Sequence, residues 1–64
     1  MNFKKVIKTA FQFKRKTLRN NFKDILNEEN FNSLGINPQK RAEMLSIDDF
    51  VNIENYIYDH KIMI

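Results

Sequence analysis

The sequence predicts an all-α fold, a small bundle of about four to five short helices. Two observations carry this. Apolar residues recur at helical spacing from Phe3 to Phe11 and again from Ile47 to Ile57, and nothing alternates with the period of a strand. Cap and stop residues divide the rest of the 64-residue chain into short segments. A chain of this length forms one domain at most, and one that buries only ~60% of its unfolded surface.

The first helix is read from Phe3, Val6, Ile7, Ala10 and Phe11, which form one apolar stripe. Lys4, Lys5, Lys8, Gln12 and Arg15 fall on the other side of the same wheel. Continued unbroken, this helix would bring Lys14 into its apolar stripe, a costly place for an unpaired lysine. A break or bend is therefore expected near Phe13–Lys16, with one continuous, gently curved helix as the competing reading. Thr17 is placed to cap a second helix, whose stripe is Leu18, Phe22, Ile25 and Leu26. Asn27 caps a third, with Glu28 and Glu29 in the first turn, where the helix dipole favours anions. Gly35 ends that helix as a left-handed residue, and Ile36 folds back on Phe31. Asn37-Pro38 is a start signal for a turn or two of helix through Ala42 or Glu43. Ser46 and Asp49 have capping-box spacing, with Leu45 and Phe50 placed as a hydrophobic staple. Ile47, Phe50, Ile53 and Ile57 form the core stripe of the last helix, with Val51 and Tyr58 at its edges and a fraying end near His60.

Composition excludes several classes. Cysteine is absent, so there is neither a disulfide nor a thiolate metal site, which fits a reducing, cytoplasmic setting. No apolar run approaches the length of a membrane helix. A single glycine rules out a glycine-rich phosphate loop. The acid pairs Glu28/Glu29 and Asp48/Asp49 sit in first turns, and adjacent residues of a helix do not face each other, so neither pair is a catalytic dyad or a metal site. His60 is the only histidine and is expected to be solvated.

Charge is the informative property. Net charge is +3, but residues 1–23 carry Lys4, Lys5, Lys8, Lys14, Arg15, Lys16, Arg19 and Lys23 with no acid, and residues 24–64 carry all eight acids against Lys40, Arg41 and Lys61. The first third therefore attracts a polyanion, and the remainder repels one. Lys14, Arg15, Lys16, Thr17, Arg19 and Asn20, flanked by Lys8 and Lys23, are the candidate nucleic-acid-binding residues. Arg offers a fork to phosphate, Lys a mobile point charge, and Asn donors and acceptors for backbone or base edges. A merely solvated basic face is the plain alternative. Membrane-surface binding is disfavoured, because the apolar stripe is needed for a core. Phe13 is expected in the core rather than as a platform for an unpaired base.

The run Ala10-Phe11-Gln12-Phe13-Lys14-Arg15-Lys16-Thr17-Leu18-Arg19-Asn20-Asn21 resembles the segment AFxQRRKTLRNxL of the bacterial rRNA adenine dimethyltransferases, the small subunit methyltransferase A family. Gly35-Ile36-Asn37-Pro38, Arg41-Ala42-Glu43 and Leu45-Ser46-Ile47-Asp48-Asp49-Phe50 resemble the same family's GIDPxxRAExLSxEEF at matching spacing. Arg15, Lys16, Thr17, Arg19 and Asn20 match, whereas Phe13 stands for the usual Gln, Lys14 for an Arg, and Glu54 for a small apolar residue. The resemblance covers the family's C-terminal helical domain, and it implies docking on small-subunit rRNA within the small ribosomal subunit. It also implies that S-adenosylmethionine is held by an N-terminal Rossmann-like catalytic domain, which dimethylates two adjacent adenines and is a partner of this domain rather than part of it. By that implication these 64 residues alone are inactive, with no catalytic, cofactor or metal residue. Erythromycin-resistance methylases of large-subunit RNA have a comparable tail, but the Arg-Lys-Thr-Leu-Arg-Asn run and Arg-Ala-Glu favour the small-subunit branch. A stand-alone basic helical module that binds nucleic acid or protein is the alternative.

Overall fold

The computed structural model describes residues 3–64. In chain order these form α1 (Phe3–Ala10), α2 (Leu18–Asn21), α3 (Glu28–Leu34), a 3-10 turn (Ala42–Met44) and α4 (Ile47–Asp59), with no strand among the described residues. The long helix α4 is the platform: α1 and α3 both pack on it, and α2 packs on α1. The Cα radius of gyration is 10.2 Å, against about 10.7 Å expected for a folded chain of this length.

One core joins all the elements. Val6 and Ala10 enter from α1, and Leu18, Phe22 and Leu26 from α2 and the turn after it. Phe31, Ile36 and Ala42 come from the middle of the chain, and Phe50, Ile53 and Ile57 from α4. Phe22 and Phe31 meet edge to face, with ring centroids 6.2 Å apart, the geometry that the ring quadrupoles favour.

The local signals for α3 and α4 act as read. The Asn27 side chain accepts from Asn30 N–H at 2.9 Å, and Asn30 returns a bond to Asn27 N–H at 2.8 Å. Asn30 also donates to the Tyr56 hydroxyl at 2.8 Å, tying the start of α3 to α4. Gly35 closes α3 at φ +71°, where its own N–H reaches Asn32 O and Ile36 N–H reaches Phe31 O at 3.0 Å. The Ser46–Asp49 capping box is complete, with bonds of 3.2 and 3.0 Å.

Five expectations are corrected. The apolar residues 18–26 do not form one helix: α2 is four residues long and turns at Phe22–Ile25, so Leu18, Phe22 and Leu26 reach the core around a bend. Thr17 stands at the N-cap position but caps no amide; its hydroxyl accepts from the Asn20 side chain at 3.2 Å instead. Asn37-Pro38 starts a single turn and no helix, because the carbonyls of Pro38 and Lys40 are taken by α2 (below) and cannot propagate one. Ile47 is 76% exposed, and the buried stripe of α4 is Phe50, Ile53, Glu54 and Ile57. The end at His60 is closed rather than frayed. Lys61 adopts φ +54°, its N–H reaches Tyr58 O, and Ile62 N–H reaches Ile57 O at 2.9 Å. The His60 ring stacks on Tyr56 at 3.9 Å, and its Nδ1 lies 2.9 Å from Tyr56 O. A carbonyl only accepts, so that nitrogen carries the hydrogen.

Candidate nucleic-acid interface

The basic cluster lies on the loop between α1 and α2 and on α2 itself. The expected break is present, three residues earlier than the charge argument placed it: α1 ends at Ala10. Phe11 N–H still bonds Ile7 O, Gln12 N–H tightens onto Thr9 O, and Lys16 N–H turns back to Phe13 O at 2.9 Å. Lys14, Arg15 and Lys16 are all exposed on this loop, with Lys8 in the last turn of α1 and Lys23 just past α2.

Two sets of bonds hold the loop in shape. The first comes from Asn21, which is 6% exposed. Its amide donates to Ala10 O at 2.8 Å and to Phe13 O at 3.3 Å, and its carbonyl oxygen accepts from Phe13 N–H at 3.3 Å. One side chain thus satisfies an orphan carbonyl at the end of α1 and both backbone groups of Phe13. The second set comes from the turn at residues 38–40. Leu18 N–H donates to Lys40 O at 2.8 Å, and Arg19 N–H donates to Pro38 O at 2.9 Å. These are the first amides of α2, groups that would otherwise attract an anion. Because backbone carbonyls already fill them, these two amides are not available to an anion.

The structure sorts the predicted residues into groups. Phe13, Lys16, Asn20 and Lys23 line one shallow cavity of about 260 Å³. Lys16 also borders a second cavity of about 220 Å³, with Lys14, Ala10, Phe11, Ala42 and Glu43. Arg19 and Lys23 line a third with Leu26, Asn27 and Glu28. Neither Lys8 nor Arg15 lines these three cavities; both stand apart on exposed surface. Arg19 Nε lies 3.6 Å from Glu28 Oε1 with both side chains more than half exposed, a contact worth little and easily exchanged for a phosphate.

Two residues differ from the sequence reading. Phe13 is not core: its ring is 52% exposed beside Lys16, Asn20 and Lys23. Its backbone is pinned by Asn21, which leaves the ring outside the core. Asn21 is the residue that sequence reasoning missed, since it was not among the candidate residues. Its bonds run to residues eight and eleven positions away, a range that no cap rule covers.

Among the described residues no group of three or more His, Cys, Asp and Glu is placed to hold a metal ion, and no helix is long and apolar enough to cross a membrane.

Fold and site define a small helical domain that presents a braced, exposed cationic loop. Residues 1–59 match the family model described as ribosomal RNA adenine dimethylase, and the chain belongs to that family. It is 46% identical over 52 residues to the ribosomal RNA small subunit methyltransferase A of Marinomonas sp., covering 81% of this chain and 20% of the relative. The protein of that name from Psychromonas ingrahamii is 45% identical over 56 residues, covering 88% of this chain and 21% of the relative. The one from Neisseria gonorrhoeae is 40% identical over 58 residues, covering 91% and 22%. The chain therefore spans about a fifth of the length of these relatives.

Proposed function

We propose that this chain is the rRNA-docking, C-terminal helical domain of an S-adenosylmethionine-dependent small-subunit rRNA adenine dimethyltransferase, working in the cytoplasm on the small ribosomal subunit. In that reading the whole enzyme dimethylates two adjacent adenines, and its catalytic methyltransferase domain is the partner of this one. The observation that carries it is the loop Lys14–Lys16, exposed yet fixed from both sides by Asn21 and the 38–40 turn. A solvated basic face needs no such fixing. A surface that must match the spacing of phosphates does, because ordering a loop on binding costs ~1–2 kcal/mol per residue. Lys14, Arg15, Lys16, Arg19 and Lys23 supply the phosphate contacts, with Lys8 at the periphery. Asn20, held by Thr17, supplies a polar contact. S-adenosylmethionine has no place among these residues: the only glycine, Gly35, is spent closing α3. The cofactor belongs to the catalytic domain.

The test is binding of the 64-residue chain to small-subunit rRNA across a salt series. Engagement of ~4–6 phosphates gives a slope of log affinity against log salt of roughly −3 to −5. Replacing Arg15, Lys16 and Arg19 together by Ala flattens that slope while helicity stays unchanged. A flat slope in the unmodified chain refutes the reading. The same experiment with duplex DNA separates it from a stand-alone DNA-reading module. For that alternative α4 is poorly suited, since it carries Asp48, Asp49, Glu54 and Asp59 and no Lys or Arg, whereas a recognition helix meets phosphates on both sides of the groove.

A further inference from the structure

The fold brings one acid up to the basic loop. Residues 1–23 contain no Asp or Glu, yet Glu43, from the 3-10 turn, shares the wall of the 220 Å³ cavity with Lys14 and Lys16. Next to a phosphate-binding surface a carboxylate repels the ligand unless it accepts a hydrogen bond from it. Its ion pair with Arg41 is loose: Arg41 Nη1 lies 3.9 Å away, with both side chains more than half exposed. The remaining wall is apolar and small, made by Ala10 and Ala42, which are buried, and by the Phe11 ring. That ring is 41% exposed and backed by Phe50, with centroids 6.0 Å apart in a stacked arrangement. The volume is below the ~300–1,000 Å³ of a drug-sized pocket. It suits one flat ring, with sugar and phosphates left outside beside the lysines.

Resting on the RNA-docking reading, we propose that this cavity takes one unpaired guanine of the bound RNA. Glu43 accepts from the base edge that carries N1–H and the N2 amine. The carboxylate has two acceptor oxygens and no hydrogen, so it complements two adjacent donors. Guanine is the one standard base that offers two neighbouring donors on its pairing edge. Adenine and cytosine set one donor beside an acceptor, and uracil sets one between two acceptors. Guanine O6 and N7 are acceptors suited to an ammonium group, and Lys14 and Lys16 supply two. Stacking on Phe11 is tolerant of base identity, so selectivity falls on Glu43.

The experiment is fluorescence anisotropy of labelled pentaribonucleotides UUUUU, UUGUU, UUAUU and UUCUU with the 64-residue chain at low salt. UUGUU is expected to bind about tenfold tighter than the other three, the lower range of a bidentate base contact. Glu43→Gln sits on an exposed side chain and leaves the core intact. It is expected to abolish the preference for guanine while UUUUU binding stays equal or rises slightly through loss of a negative charge. Equal affinity for all four pentamers overturns the guanine site and leaves RNA docking standing. So does a guanine preference that survives Glu43→Gln. Binding of none of the four overturns both.

Discussion

Replacing Asn21 by Ala removes three hydrogen bonds at once and tests whether the loop is held as described. The Ala10 carbonyl loses a 2.8 Å bond in a buried position, where an unsatisfied group costs ~1–3 kcal/mol. The two 3.3 Å bonds to Phe13 lie at the surface side and are partly replaced by water, for about 0.5 kcal/mol each. The total is about 2–4 kcal/mol, against a stability of about 3–10 kcal/mol for a domain of this length. At about 4–8 °C per kcal/mol in so short a chain, the midpoint falls by roughly 8–32 °C. Thermal melts followed by circular dichroism measure this. RNA affinity, measured well below the lowered midpoint, should fall as well, because the freed loop must be ordered on binding. A loss of stability under about 0.5 kcal/mol, with affinity unchanged, would show that Asn21 does not organise the loop.

Phe13→Ala should leave urea unfolding within about 0.5 kcal/mol of the parent, because the ring is half exposed. Its RNA affinity should drop about 5- to 100-fold if the ring stacks on a base, so unchanged affinity in a gel-shift titration removes it from the interface. Lys61→Gly relieves a left-handed residue that carries a side chain. It should raise the unfolding midpoint by about 0.5–1 kcal/mol of stability after the added chain entropy of glycine. A lower midpoint would mean that the Lys61 stem contributes more packing than its backbone costs.

The parts of the fold written in adjacent residues were legible. Asn27, Gly35 and Ser46 each act on groups within a few positions, so their chemistry survives whatever the rest of the chain does. The helix break was legible for a related reason: Lys14 in an apolar stripe is a contradiction visible without coordinates. What depended on distant partners was hidden. Pro38 and Lys40 read as the start of a helix until Arg19 and Leu18 claim their carbonyls. Ile47 has the right spacing for the core stripe, but periodicity does not report where a stripe runs out of neighbours to pack on. Glu54 sits on the buried stripe of α4, a place that the same periodicity assigns to an apolar residue. The candidate interface divides the same way: its charge was countable, and its shape was not, because Asn21, the exposed Phe13 ring and the approach of Glu43 all arise from packing between segments.

The two backbone bonds from Leu18 and Arg19 to the 38–40 turn have a wider consequence. They make the charged segment and the middle of the chain one mechanical part. A peptide of residues 1–26 would keep every cation of the first third and lose the brace that spaces them. It would gather on any polyanion by attraction alone, indifferent to orientation. The acidic remainder is thus the jig that turns a bag of positive charge into a surface with a definite pitch.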